Sequence, residues 1–145
     1  MRLCSLALLF ISFSSVSGSS FNQALVDAGE AIERCNLQLK QNDKPFPVNE
    51  WFKSLSQLDQ RLVVGYISLK NSENCSRPEM EQLRAVSVEL SPEQRELLDK
   101  STIIEPLKFR GDLSHLDMTE IERLQKKYPQ PFDAFHVLDE LGLWD

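Results

Sequence analysis

The chain has 145 residues with 16 basic and 22 acidic side chains, a formal net charge of −6. An acidic chain repels phosphate backbones, so nucleic-acid binding is not expected. Five glycines, and no Gly-rich phosphate loop, G-x-S-x-G or H-E-x-x-H pattern, leave little material for the common catalytic motifs.

The first twenty residues differ in kind from the rest. Arg2 is the only charge before Asp27, the run LCSLALLFISF from Leu3 is apolar apart from two serines, and SSVSGSS follows. A positive start, a short apolar core and a small-residue exit are the order of a secretory signal peptide. Val16 and Gly18 suit the positions before the scissile bond, so residues 1–18 read as a signal peptide cleaved after Gly18. The apolar core is shorter than the roughly 20 residues a bilayer span needs, and no later run is long enough, so no stable membrane span is expected. Cys4 lies too early to be a lipoprotein cysteine. Residues 19–145 are then one domain, more acidic by one charge once Arg2 is gone, in the periplasm or outside the cell.

Export decides how the cysteines are read. Cys4 leaves with the signal peptide, and the remaining two, Cys35 and Cys75, are expected to pair. The bond closes a loop of about 40 residues, worth roughly 3–4 kcal/mol on loop-entropy arithmetic.

In chain order, 22–41 has a helical period, with Leu25, Ala28, Ile32, Cys35 and Leu39 on one stripe. Pro45-Phe46-Pro47 forces an extended loop. A second helix is capped by Asn49 and carries Phe52, Leu55, Leu58 or Asp59, Leu62, Tyr66 and Leu69, widened by Trp51, Val63 and Ile67, with Gly65 marking close approach by another helix. It ends over 71–74. Ser76-Arg77-Pro78-Glu79 has the form of a capping box with proline in the first turn, opening a helix through Met80, Leu83, Val86 and as far as Leu90, either bent into the next helix or separate from it. Ser91-Pro92-Glu93-Gln94 repeats that signature for a helix bearing Leu97 and Leu98 and ending near Ser101. Residues 102–116 have no clear period and read as an ordered, irregular loop. Asp117 or Thr119 caps a helix with Ile121, Leu124 and Tyr128. Pro131 opens the last, with Phe132, Phe135, Leu138 and Leu141 on its stripe, Gly142 as a left-handed cap, and Leu143 and Trp144 folding back. The fold expected is all-α, a compact bundle of five to six short amphipathic helices with neighbours antiparallel.

No catalytic residue and no cofactor is expected, so the chain reads as a non-enzyme. The leading expectation is an exported module that binds another protein, most concretely a basic one, in the manner of an inhibitor, immunity protein or accessory factor. Its partner surface is placed on the irregular stretch, at Ile103, Ile104, Leu107, Phe109 and Arg110, with Trp51 as a second candidate; apolar residues beside Arg resemble interface anchors. A first alternative is a carrier holding a small apolar ligand in the bundle core. A second is a metal-dependent enzyme built on two D-x-x-H pairs, Asp112/His115 and Asp133/His136. The carboxylate pairs Glu79/Glu81, Glu93/Glu96 and Asp139/Glu140 read as solvated helix faces. Asn74-Cys75-Ser76 has the form of an N-glycosylation acceptor.

Overall fold

A computed structural model describes residues 17–101 and 104–144. The apolar part of the expected signal peptide, and Ile103, lie outside the described residues. Six helices occur among the described residues: α1 (Ser17–Gln41), α2 (Glu50–Ser54), α3 (Gln57–Ser87), α4 (Pro92–Ser101), α5 (Met118–Lys127) and α6 (Ala134–Glu140). No described residue lies in a strand. The protein is all-α, and Cys35 and Cys75 are joined in a disulfide. No described helix is long and apolar enough to cross a membrane.

α1 begins at Ser17, not Asn22, and so runs through the expected cleavage point after Gly18. Its buried stripe is Ala24, Ala28, Ala31 and Cys35. The expected stripe was rotated toward the larger side chains: Leu25 and Leu39 are half-buried, and Ile32 is 40% exposed. The reason is steric. Small side chains let α1 approach α3 closely enough for the Cys35–Cys75 bond, whose Cα atoms are 6.0 Å apart. Arg34 reaches Glu79 at 3.0 Å, and Ala24 and Ala28 share a small core with Met80 and Leu83. These pairings run in opposite chain directions, so α1 and α3 are antiparallel.

The middle of the chain departs most from expectation. Asn49 does cap a helix, accepting from the Phe52 amide at 2.8 Å. That helix stops after one turn, because Leu55 is extended and Ser56 caps afresh, accepting from the Asp59 amide at 3.2 Å. α3 then runs unbroken through 71–74 and through Pro78 to Ser87. The capping box at Ser76 is not used as a helix start. A proline within a helix costs about 3 kcal/mol, but burial continues on both sides of it. Ile67, Asn71 and Cys75 step by four residues, and Met80, Leu83 and Ser87 carry the buried face onward. Tertiary packing overrides the local stop signals. The disulfide therefore ties α1 to the interior of α3 rather than to a helix end.

The main core gathers α3, α5, α6 and the Pro-flanked loop. Phe46, Phe52, Tyr128 and Phe132 form an aromatic cluster, with centroids 5.5 Å apart for Phe46–Phe52, 5.6 Å for Phe46–Tyr128 and 5.0 Å for Tyr128–Phe132. Val63, Val64, Ile67, Ile121, Leu124, Val137, Leu138 and Leu143 fill the remainder. Burial holds the Tyr128 hydroxyl above its ordinary pKa, and that hydroxyl donates to the Lys44 carbonyl at 2.5 Å.

The turn from α5 to α6 contains two prolines and leaves carbonyls with no helical partner. Four of them find a side-chain donor. Asn71, only 1% exposed, donates to the Tyr128 and Gln130 carbonyls at 2.5 and 3.0 Å. Asn42 donates to Pro131 at 3.0 Å and Ser68 to Phe132 at 2.9 Å. Gln125 completes Asn71 by donating to its Oδ1 at 3.2 Å. Asn71 is thus a buried polar hub, not a helix terminus.

The remaining caps follow the sequence closely. Ser91 accepts from the Gln94 amide at 3.3 Å while Gln94 Oε1 accepts from the Ser91 amide at 3.1 Å, a reciprocal capping box. On α4 Leu98 is buried and Leu97 exposed. Asp117 caps α5 through the Thr119 amide at 2.9 Å. The last helix opens at Ala134, with Asp133 as its cap, so Pro131 and Phe132 precede it. Gly142 has φ +65°, and the Leu143 amide reaches the Leu138 carbonyl at 2.9 Å, the six-to-one closure of a left-handed helix end. Leu143 is buried by it.

Replacing the hub tests its weight. Asn71→Ala is expected to lower unfolding free energy by roughly 2–3 kcal/mol, because two carbonyls and the Gln125 amide lose a buried partner. Urea titration of both proteins measures the difference, and a loss under about 0.5 kcal/mol, the scale of a surface change, contradicts this role.

Candidate functional site

The stretch 104–116 is a strap laid across α3. Ile104 packs on the small core beside Met80 and Leu83, and Arg84 Nε donates to its carbonyl at 2.9 Å. Phe109 turns inward. Its ring meets Tyr66 edge-on at 5.4 Å and 80°. Gly65 faces the strap, not a second helix: a Cβ there would meet the Phe109 ring at 3.6 Å, an ordinary contact. At Gly111 a Cβ would lie 2.5 Å from Phe109 and 2.6 Å from Leu62, closer than atoms pack. The strap ends in a tight turn, where Asp112 accepts from the Ser114 amide at 2.9 Å. His115 Nε2 meets Asp59 Oδ1 at 2.8 Å. The Ser56 hydroxyl first, and His115 second, hold the Asp59 carboxyl below its usual range.

Between α1, α3 and the outer edge of the strap lies a half-open groove of about 490 Å³. Cys35 and Met80 are buried in its wall, and Ile32, Pro106 and Leu107 also line it. Leu107 is 62% exposed. Lys70, Arg77 and Arg84 are balanced there by Glu73, Glu81 and Glu105, with Lys70 and Glu73 paired at 2.8 Å. The groove is therefore neutral within an acidic chain. A shallower depression on α4 is lined largely by charged side chains, including the Lys100–Glu96 pair at 2.7 Å.

The candidate partner residues do not form one surface. Leu107 lines the groove and Ile104 stands half-buried beside it. Phe109 is consumed in holding the strap down. Arg110 is exposed but does not line the groove. Trp51 is partly buried against the main core. Sequence reasoning missed Ile32, assigned to the buried stripe, and Phe135, assigned likewise. Phe135 is 65% exposed and stacks on Trp144 at 5.5 Å with an interplanar angle of 5°. The three alanines of α1, spaced like the larger residues, were the signal that could have turned Ile32 outward.

The two D-x-x-H pairs are held apart by separate partners. Asp112 closes the strap turn and His115 meets Asp59, whereas Asp133 caps α6 through the Phe135 amide at 2.9 Å and His136 pairs with Glu140 at 3.3 Å. Among the described residues no group of three or more His, Cys, Asp or Glu side chains is placed to hold a metal ion. Of the carboxylate pairs, Glu79 is engaged with Arg34 rather than simply solvated. Comparison with known protein families, with curated proteins and with solved structures finds no match to the chain.

Two measurements probe the strap. Gly111→Ala is expected to destabilise by roughly 1–3 kcal/mol through overpacking, read by urea titration; an unchanged midpoint contradicts the contact. The second is pH dependence. A carboxyl whose folded pKa is depressed adds stability above its unfolded value, and that stability is lost as pH falls through the folded value. Asp59→Asn is expected to flatten the acid limb of stability below the ordinary carboxylate range, with His115→Ala doing so in part. An acid limb identical in Asp59→Asn and the parent contradicts the role given to the Asp59–His115 contact.

Proposed function

We propose that the chain is an exported, disulfide-tied helical module that binds another protein through the groove between α1, α3 and the strap. The observation that carries this reading is the pair Ile32 and Leu107, large apolar side chains left exposed at a groove floored by the buried Cys35 and Met80. Exposed apolar anchors around a concavity are what interface hot spots use. Because the groove is neutral, shape and apolar burial select the partner there. The chain's overall negative charge acts at longer range and favours a basic partner. In this reading the module is an inhibitor or accessory factor and not itself an enzyme, and the apolar N-terminal run is the cleaved signal that delivers it to the periplasm or the exterior.

The same groove supports a second reading, a carrier of a small apolar ligand, since about 490 Å³ falls within the size range of small-molecule sites. The site would then be this groove and not a hollow bundle core.

The two readings separate experimentally. The protein-binding reading expects the parent to form a stoichiometric complex, seen by size exclusion with light scattering, with a protein from extracellular or periplasmic extract. Leu107→Asp and Ile32→Asp should each weaken that complex tenfold or more, about 1.4 kcal/mol, with helix content unchanged by circular dichroism. A complex insensitive to both substitutions contradicts the groove as its site. A lipid-like mass retained in native mass spectrometry by the parent, and lost in both variants, favours the carrier.

A further inference from the structure

We propose that Asn74 is an acceptor for an N-linked glycan, placed at the edge of the groove. Asn74-Cys75-Ser76 is the single N-x-S/T triplet in the chain. Asn74 is exposed on α3 while its neighbour Cys75 is turned toward α1 by the disulfide. Arg77 Nη2 donates to Asn74 Oδ1, and Oδ1 is the atom a glycan leaves in place, since the new bond forms at Nδ2. The folded surface therefore accommodates the modification.

The order of events follows from the geometry. Residues two apart on a helix do not face each other, so in folded α3 the Ser76 hydroxyl cannot stand beside the Asn74 amide. Transfer must come before this stretch becomes helical and before Cys75 is tied to Cys35. In the step, Nδ2 of Asn74 bonds to the anomeric carbon of a lipid-linked oligosaccharide. The bond from that carbon to the carrier diphosphate breaks, the diphosphate departs with the lipid, and Nδ2 gives up one proton. Glycan transfer and disulfide closure thus compete for one short segment. The next groove-lining residues on either side are Glu73 and Ser76, so a glycan would crowd the α3 flank. A partner would approach from the Leu107 side.

The proposal rests on the export reading, and the test separates the two. The full chain is expressed in insect cells with its own N-terminus, and in parallel behind a leader of established efficiency. Secreted protein is digested with the amidase that releases N-glycans and converts the asparagine to aspartate, and residue 74 is read by peptide mass spectrometry. The expected result is glycan on Asn74 in both samples and none in Asn74→Gln. Occupancy in Cys35→Ala, read from cell extract whether or not that variant folds, should be higher than in the parent. Failure of the native N-terminus alone to deliver the chain overturns export and leaves the leader-driven arm to decide the glycan. Unmodified Asn74 in leader-driven, secreted parent protein overturns the proposal, including the case in which only Cys35→Ala is modified.

Discussion

The close approach of α1 to α3 is the constraint from which the other features follow. Three alanines and one cysteine form the buried edge of α1. With side chains this small the two backbones come near enough for a disulfide, and the bond then fixes their register. A helix has only so much circumference. If the alanine edge faces α3, the larger Ile32 and Leu37 are carried outward, and both are exposed. The groove exists because that seam is narrow: α1 covers only part of α3, and the strap covers another part without closing the gap.

α3 serves two cores at once. Its first half, through Val63, Val64 and Ile67, belongs to the aromatic cluster with α5 and α6, and its second half, through Met80 and Leu83, packs on the alanines of α1. A helix used in this way has no single polar face and cannot easily stop between its two duties. That accounts for its passage through Pro78. It also accounts for Asn71, which sits where an apolar residue would otherwise go and uses its amide to satisfy carbonyls freed by the α5–α6 turn. One polar side chain at that depth is tolerable because donors and acceptor are all engaged.

The parts of this architecture legible in the sequence were those set by neighbouring residues. Caps at Asn49, Ser91, Asp117 and Gly142 depend on three or four adjacent positions and were readable there. The disulfide was readable because the expected signal peptide takes Cys4 with it and leaves two cysteines to pair. Long-range choices were not. Ser76-Arg77-Pro78-Glu79 has the chemistry of a helix start and lies inside a helix, because burial on both sides outweighs one proline. Ser56-Gln57-Leu58-Asp59, a plainer cap, was hidden within an apolar period that crosses it. On α1, periodicity identified a helix but not which of two adjacent stripes was inward, since alanine gives a weak hydrophobic signal while deciding how close two helices come. At the site, Leu107 was legible as an exposed apolar residue on an irregular stretch. Phe109 looked the same in sequence, and only Gly65, Gly111 and Tyr66 around it make it a structural peg.

The account holds that the groove face is a unit clamped by α1 on α3, separable from the aromatic core. Native-state amide hydrogen exchange on the oxidised protein and on protein with Cys35 and Cys75 reduced and blocked tests this most directly. The account predicts that reduction strips protection from α1 and from the second half of α3, while amides around Ile67, Leu124 and Tyr128 keep theirs. An equal loss of protection throughout both cores would contradict it.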